Sequence, residues 1–123
     1  MLTLALTAQV YLCLTPTDMR KSFDSLAAIV RDELKSDPFS GSLFVFRSQR
    51  GDRIKLLYWD QDGLMIWMKR LEKGTYQFPF AQVNSDASSL SITATELNLI
   101  LSEIDLDSAK RRPRYHRPDA NAK

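Results

Sequence analysis

One cysteine, one histidine and four glycines in 123 residues remove several chemistries before any motif is considered. Cys13 alone can form neither an intrachain disulfide nor a cysteine-based zinc site, and its apolar neighbours mark it as a packing residue rather than a nucleophile. That usage suits a reducing cytoplasm, the expected location. His116 lies among arginines and prolines near the C-terminus, where nothing can hold an orienting partner against it, so a Ser-His-Asp or Cys-His site is not expected. Gly51, Gly63 and Gly74 each fall where a turn does, and none builds a phosphate-cradling loop. No stretch reaches the roughly 18 uninterrupted apolar residues of a membrane span. The apolar start, residues 1–14, lacks a basic beginning and is broken by Thr3, Thr7 and Gln9, unlike a signal peptide. The expectation is no membrane association, no cofactor, no metal and no enzyme.

What is present is a globular composition, 44% hydrophobic and 26% charged, in a length that suits one core rather than two. The net charge of +2 conceals an asymmetry. Residues 1–109 hold 11 Lys and Arg against 14 Asp and Glu, a charge of −3; residues 110–123 hold six against one, a charge of +5. A single domain over 1–109 and a basic, flexible tail over 110–123 follow.

Hydrophobic periodicity supplies the elements. Residues 9–14 alternate as a strand that stops at Thr15-Pro16. An oxygen of Thr17 or Asp18 then caps a helix over 19–35, which buries Phe23, Leu26, Ala27, Val30 and Leu34. Residues 43–47 are apolar on both alternating faces, as in a central strand. Turns at 48–52 and at Asp60-Gln61-Asp62-Gly63 separate it from strands over 53–59 and 64–71, and such short turns predict antiparallel neighbours with Arg53 near Arg70 and Lys55 near Met68. Residues 76–80 read as an edge strand ended by Pro79, and 84–89 as a polar loop. Thr93 with Glu96 forms a capping box for a second helix over 94–104, and regular structure ends from Asp105 onward. The fold class is α+β: a small single domain with a central antiparallel sheet, two amphipathic helices and a basic C-terminal tail.

Five segments carry a family likeness: Thr17-Asp18-Met19-Arg20-Lys21-Ser22-Phe23-Asp24-Ser25-Leu26, the run from Asp37-Pro38-Phe39 to Phe46-Arg47, Arg50-Gly51-Asp52-Arg53-Ile54-Lys55, Tyr58-Trp59-Asp60-Gln61-Asp62-Gly63-Leu64, and Lys69-Arg70-Leu71-Glu72-Lys73-Gly74. Through them the chain resembles the TnpB-type accessory protein of bacterial insertion-sequence family 66, which is distinct from the RNA-guided nuclease of the same name. The likeness runs from about residue 10 to residue 118. It implies a noncatalytic helper of DNA transposition, encoded beside a separate transposase that is the expected partner; DNA as a partner is expected from the basic residues described next. Homo-oligomerisation is left open. Ser22, Ser25 and Gln61 depart from the pattern, standing where relatives often carry glycine.

The residues themselves point to nucleic acid. Lys110, Arg111, Arg112, Arg114 and Arg117, interleaved with Tyr115, form an arm suited to neutralising phosphates, the alternative being a solvated tail that aids solubility. Arg47, Arg50, Arg53 and Lys55 surround the first hairpin turn, with Lys69, Arg70 and Lys73 at the end of the strand expected to lie antiparallel to it. Together these predict a basic rim. If the face of Lys55, Leu57 and Trp59 coincides with that of Met65, Trp67 and Lys69, the sheet also offers aromatics among cations to unpaired bases, the alternative being tryptophans in the core. Arg20 and Lys21 sit where they oppose a helix dipole, so helix stability does not explain them; pairing with Asp18 or Asp24 is the competing explanation. Two other functions compete with DNA binding: a pure protein adaptor of the transposase, and a metal-dependent nuclease built on Asp60 and Asp62. The second is weakened because Asp-Gln-Asp-Gly between strands is what a turn requires.

Overall fold

The computed structural model describes residues 8–80, 86–102, 104–105 and 110–111. Its elements are β1 (Val10–Cys13), α1 (Phe23–Asp32), β2 (Leu43–Arg47), β3 (Arg53–Asp60), β4 (Gly63–Arg70), β5 (Ser89–Ile92) and α2 (Ala94–Leu101). The first five strands form one sheet in the order β4-β3-β2-β1-β5. Short turns make β2, β3 and β4 an antiparallel meander, whereas the helical crossover through α1 brings β2 back parallel to β1. The α+β class is as expected; the parallel pair is an addition to it.

Both faces of the sheet are covered, which is why β2 is apolar at successive positions. On one face Cys13, Phe44, Phe46 and Leu57 pack with Leu26, Ala27, Val30 and Leu34 of α1 and its C-terminal extension. On the other, Val10, Leu12, Val45, Ile54 and Leu56 meet Leu97 and Ile100 of α2, with Leu71, Tyr76 and Phe78 from the segment after β4.

Several expectations need correction. Helix α1 begins at Phe23 and is capped at Ser22, not at Thr17 or Asp18, and the Ser22 N–H donates to Ser25 Oγ at 2.9 Å. Phe23 consequently opens the first turn at 46% exposure and is no core residue. Residues 76–80 form no strand; they lie across the sheet, with the Tyr76 N–H donating to the Gly51 carbonyl at 2.7 Å. Ser89–Ile92 is a strand pairing with β1, so the polar loop ends earlier than expected, and its first residues lie outside those described. Helix α2 has its cap as read, with Thr93 Oγ1 accepting from the Glu96 N–H and Glu96 Oε1 from the Thr93 N–H, both at 3.0 Å, but stops at Leu101. Beyond it, β6 (Ile104–Asp105) and β7 (Lys110–Arg111) pair antiparallel, a short ladder inside the region expected to lack regular structure.

Candidate functional site

Because β1 and β2 are parallel, the loop after β1 and the turn after β2 leave the sheet at the same end. The buried Thr17 fastens them together, its N–H donating to the Arg47 carbonyl at 2.9 Å. The turn is held tightly. Gly51 N–H donates to the Ser48 carbonyl at 2.9 Å, and Ser48 Oγ accepts from the Arg53 N–H at 3.1 Å and donates to Asp52 Oδ1 at 3.3 Å. Gly51 has φ of +81°, a backbone conformation that favours glycine, and a Cβ there would stand 3.2 Å from Thr75 Cβ, a tight contact. Between loop and turn lies a groove of about 550 Å³ lined by Pro16, Asp18, Arg20, Arg50, Asp52 and Arg53 among others. Carboxyl ends of parallel strands are where open sheets commonly receive ligands.

The cations at this end differ in their commitments. Arg20 folds back on Asp18: its Nη2 donates to Asp18 Oδ2 at 2.8 Å, its Nε lies 3.1 Å from both carboxylate oxygens, and its backbone N–H donates to Oδ1 at 2.9 Å. These hydrogen bonds hold the Asp18 carboxyl down to about 2 and raise the Arg20 guanidinium. The Arg20 side chain nevertheless remains 92% exposed. Lys21, Arg50 and Arg53 make no side-chain hydrogen bond or ion pair among the described residues. Arg53 and Arg70 are cross-strand partners, as the register expected, although like charges placed opposite each other destabilise a sheet. Arg70 has a 3.5 Å exposed contact to Glu72.

Two of the expected rim residues serve the fold instead. Lys55 is only 9% exposed, and its Nζ donates to the Lys21 carbonyl at 2.7 Å, tying the segment before α1 to the sheet. Arg47 points to the opposite face. Its guanidinium carbon sits 5.2 Å from the Phe78 ring centre and 5.1 Å from that of Phe80, and Nη1 donates to the Tyr76 carbonyl at 2.8 Å. Burial lowers its pKa. Lys69 is half-buried on Arg47's side of the sheet and Lys73 is exposed beyond β4, so neither joins the groove. The side chains of Lys110 and Arg111, and all of Arg112, Arg114 and Arg117, lie outside the described residues.

The aromatic platform does not form. Opposite residues of an antiparallel pair share a face, and the register sets Trp59 against Leu64 and Trp67 against Leu56. The two tryptophans therefore occupy opposite faces. Trp67 packs on the α2-side core, and Trp59 meets Phe39 edge-on at 5.4 Å. Sequence patterns placed Ser48 and Asp52 in a turn and offered Thr17 as a helix cap, but did not foresee the bonds by which these residues shape the groove.

For chemistry beyond binding, the structure places Asp60 and Asp62 exposed in the β3–β4 turn, and no three His, Cys, Asp or Glu residues converge as a ligand set among those described. Cys13 is buried, its Sγ near the Thr15 carbonyl at 3.6 Å, and burial pushes the thiol up, away from nucleophilic character. Among the described residues no helix is long and apolar enough to cross a membrane.

Comparison with known proteins places the chain at the family level. Residues 8–111 match the family described as IS66 Orf2 like protein (TnpB_IS66). Two proteins of Sinorhizobium fredii are similar: y4jC, 35% identical over 98 residues covering 80% of each chain, and y4hO, 36% identical over 97 residues covering 79% of this chain and 81% of its own. No solved structure matches. The matched span takes in the groove, the meander and the β6–β7 ladder, and the chain belongs to the IS66 Orf2-like family, whose members are transposition-associated accessory proteins.

Proposed function

We propose that the protein is a noncatalytic accessory factor of transposition that binds DNA phosphates through the groove between the 14–21 loop and the β2–β3 turn, and presents the complex to the element's transposase. The observation that carries this reading is the pair Arg50 and Arg53, which line the groove and make no side-chain hydrogen bond or ion pair among the described residues; Lys21 lies beside them, its charge acting on the Asp18 carboxylate. Arg70, across from Arg53, extends the same patch. Lys21 also sits immediately before the α1 N-terminus, whose free amides add positive potential for an anion. The basic residues of 110–123 neutralise further phosphates in this reading. Arg47 and Lys55 are left out because the fold already uses their charges.

Equilibrium titration of duplex DNA at several salt concentrations tests the proposal. Replacing Lys21, Arg50 and Arg53 together by Ala weakens binding across unrelated sequences and flattens the salt slope by about 0.9 for each phosphate no longer neutralised. Replacing Arg111, Arg112 and Arg114 measures the tail's share in the same way. Binding by the wild-type protein that is indifferent to both triple substitutions, or absent at low salt, contradicts DNA binding and favours the adaptor function, with Arg20 and Lys21 then facing the transposase.

A further inference from the structure

The outer edge of β4 is unpaired among the described residues, and its sequence is unusual for an exposed edge. Its first six residues, Gly63-Leu64-Met65-Ile66-Trp67-Met68, carry no charge and no proline, the devices by which edges normally avoid pairing with another chain, and charge is confined to Lys69 and Arg70 at its end. Met65 and Met68, on opposite faces of the strand, are 43% and 45% exposed. The two-residue loop makes Asp60 and Gly63 a pair that exchanges both hydrogen bonds. Alternation along β4 then turns the N–H and C=O groups of Leu64, Ile66, Met68 and Arg70 outward, away from β3.

We propose that β4 pairs antiparallel with β4 of a second copy of this chain, about a two-fold axis through Ile66, to give a continuous ten-stranded sheet across the dimer. A two-fold axis perpendicular to the sheet keeps each face in place, so it permits only registers in which opposed residues come from the same face. The register centred on Ile66 opposes Ile66 with itself, Leu64 with Met68, Met65 with Trp67, and Asp62 with Arg70. Every central pair is apolar, and the acidic turn of each copy meets the basic end of the other. Both rows of apolar side chains, including the two exposed methionines, thus acquire partners. Charge also selects this register. Moving the axis to Trp67 would set Asp62 against Glu72 and Met65 against Lys69, removing the attraction and adding a repulsion. In the Ile66 register Glu72 falls opposite Asp60, but it lies beyond the end of β4 and is already close to Arg70.

Sedimentation equilibrium of the full chain from about 1 to about 300 μM, with hydrogen exchange at both ends of that range, tests the pairing. The expected result is a monomer–dimer equilibrium in which the amides of Leu64, Ile66 and Met68 gain protection with concentration. Asp62→Lys and Arg70→Asp, both at exposed positions, each weaken the dimer about tenfold or more, because each creates two symmetry-related repulsions. The double variant Asp62→Lys/Arg70→Asp restores it. A wild-type monomer throughout the range overturns the proposal. So does a dimer whose β4 amides stay unprotected, or one indifferent to both reversals. Protection that appears only on adding the transposase assigns the edge to that partner instead and equally refutes self-pairing.

Discussion

Arg47→Ala separates a cation that binds DNA from one that holds the fold together. The side chain supplies a charged hydrogen bond to the Tyr76 carbonyl at 2.8 Å and a position between Phe78 and Phe80. A hydrogen bond from a charged donor contributes about 1.5–3 kcal/mol, and because Arg47 is only half-buried the lower end applies. Each cation–ring interaction adds about 0.5 kcal/mol in a partly wet setting. The expected loss is about 2.5 kcal/mol, or a fall of about 10 °C in Tm for a domain of this size. Arg47→Met keeps the packing stem and should recover part of that loss while leaving the Tyr76 carbonyl without the guanidinium.

Thermal unfolding by circular dichroism reads the stability, and hydrogen exchange at Tyr76 reads the local detachment of the segment that covers the sheet. DNA affinity, measured on the folded fraction, should move little. An unchanged Tm together with a clear loss of DNA affinity would refute the structural role and return Arg47 to the basic rim.

Leu26→Ala empties a fully buried site against Phe44 and Phe46 and should cost about 2–5 kcal/mol in denaturant unfolding, whereas Phe23→Ala, at an exposed first-turn position, should cost under about 1 kcal/mol; equal losses would contradict the start of α1. Gln61 adopts a φ of +57° in the β3–β4 turn, so Gln61→Gly should raise stability by about 0.5–1 kcal/mol, and a lower denaturant midpoint would show that its side chain contributes something the backbone argument omits. Asp18 titrates in the fold near 2, below its ordinary 3.8, so its pairing stabilises the folded state above about pH 4 and is lost as pH falls toward 2; an NMR titration of its carboxyl carbon should show the low midpoint and its return toward 3.8 in Arg20→Gln, and an ordinary midpoint in the wild type would contradict the ion pair.

The meander was legible because its signals are local. Apolar runs and two short turns, one of them a two-residue loop, determine the register down to Arg53 opposite Arg70 and Lys55 opposite Met68. That same register forbids the aromatic platform, since Lys55 opposite Met68 already puts Trp59 and Trp67 on different faces. Strand β5 carries a weak signal because Ser-Leu-Ser-Ile is short and half polar, and its pairing depends on β1, almost eighty residues earlier. Residues 76–80 imitate a strand because Tyr76, Phe78 and Phe80 alternate, yet the alternation serves to cover the sheet and to flank Arg47. The roles of Arg47 and Lys55 depend on partners 29 and 34 positions away. Composition counts both as cations; only the fold shows where their charges are used.

Gln61 shows how a departure from the family pattern can become physical. Glycine suits the left-handed position of the β3–β4 turn, and this chain tolerates glutamine there with φ of +57°, while the following Gly63 lies within β4 and has no positive φ. Ser22 and Ser25 differ in kind: they form a bond at the start of α1, so serine there stabilises the helix.

The charges at the groove end can be sorted by whether folding accounts for them. Lys55 and Arg47 are accounted for: each donates to a backbone carbonyl that needs a partner, and each is packed. Arg20 is accounted for in part, since its pairing with Asp18 rigidifies the loop while leaving the guanidinium in solvent. Arg53 facing Arg70 raises the free energy of the isolated fold by setting like charges together, whereas Lys21 opposes the helix dipole but is offset by the Asp18 carboxylate on which its charge acts. Stability alone would favour a neutral residue in place of Arg53. In the proposed reading, an anion arriving from outside converts that unfavourable term into attraction. On that argument, neutralising Arg53 should stabilise the free protein slightly while weakening its complex with DNA, a pair of opposite signs that a structural role for Arg53 would not produce.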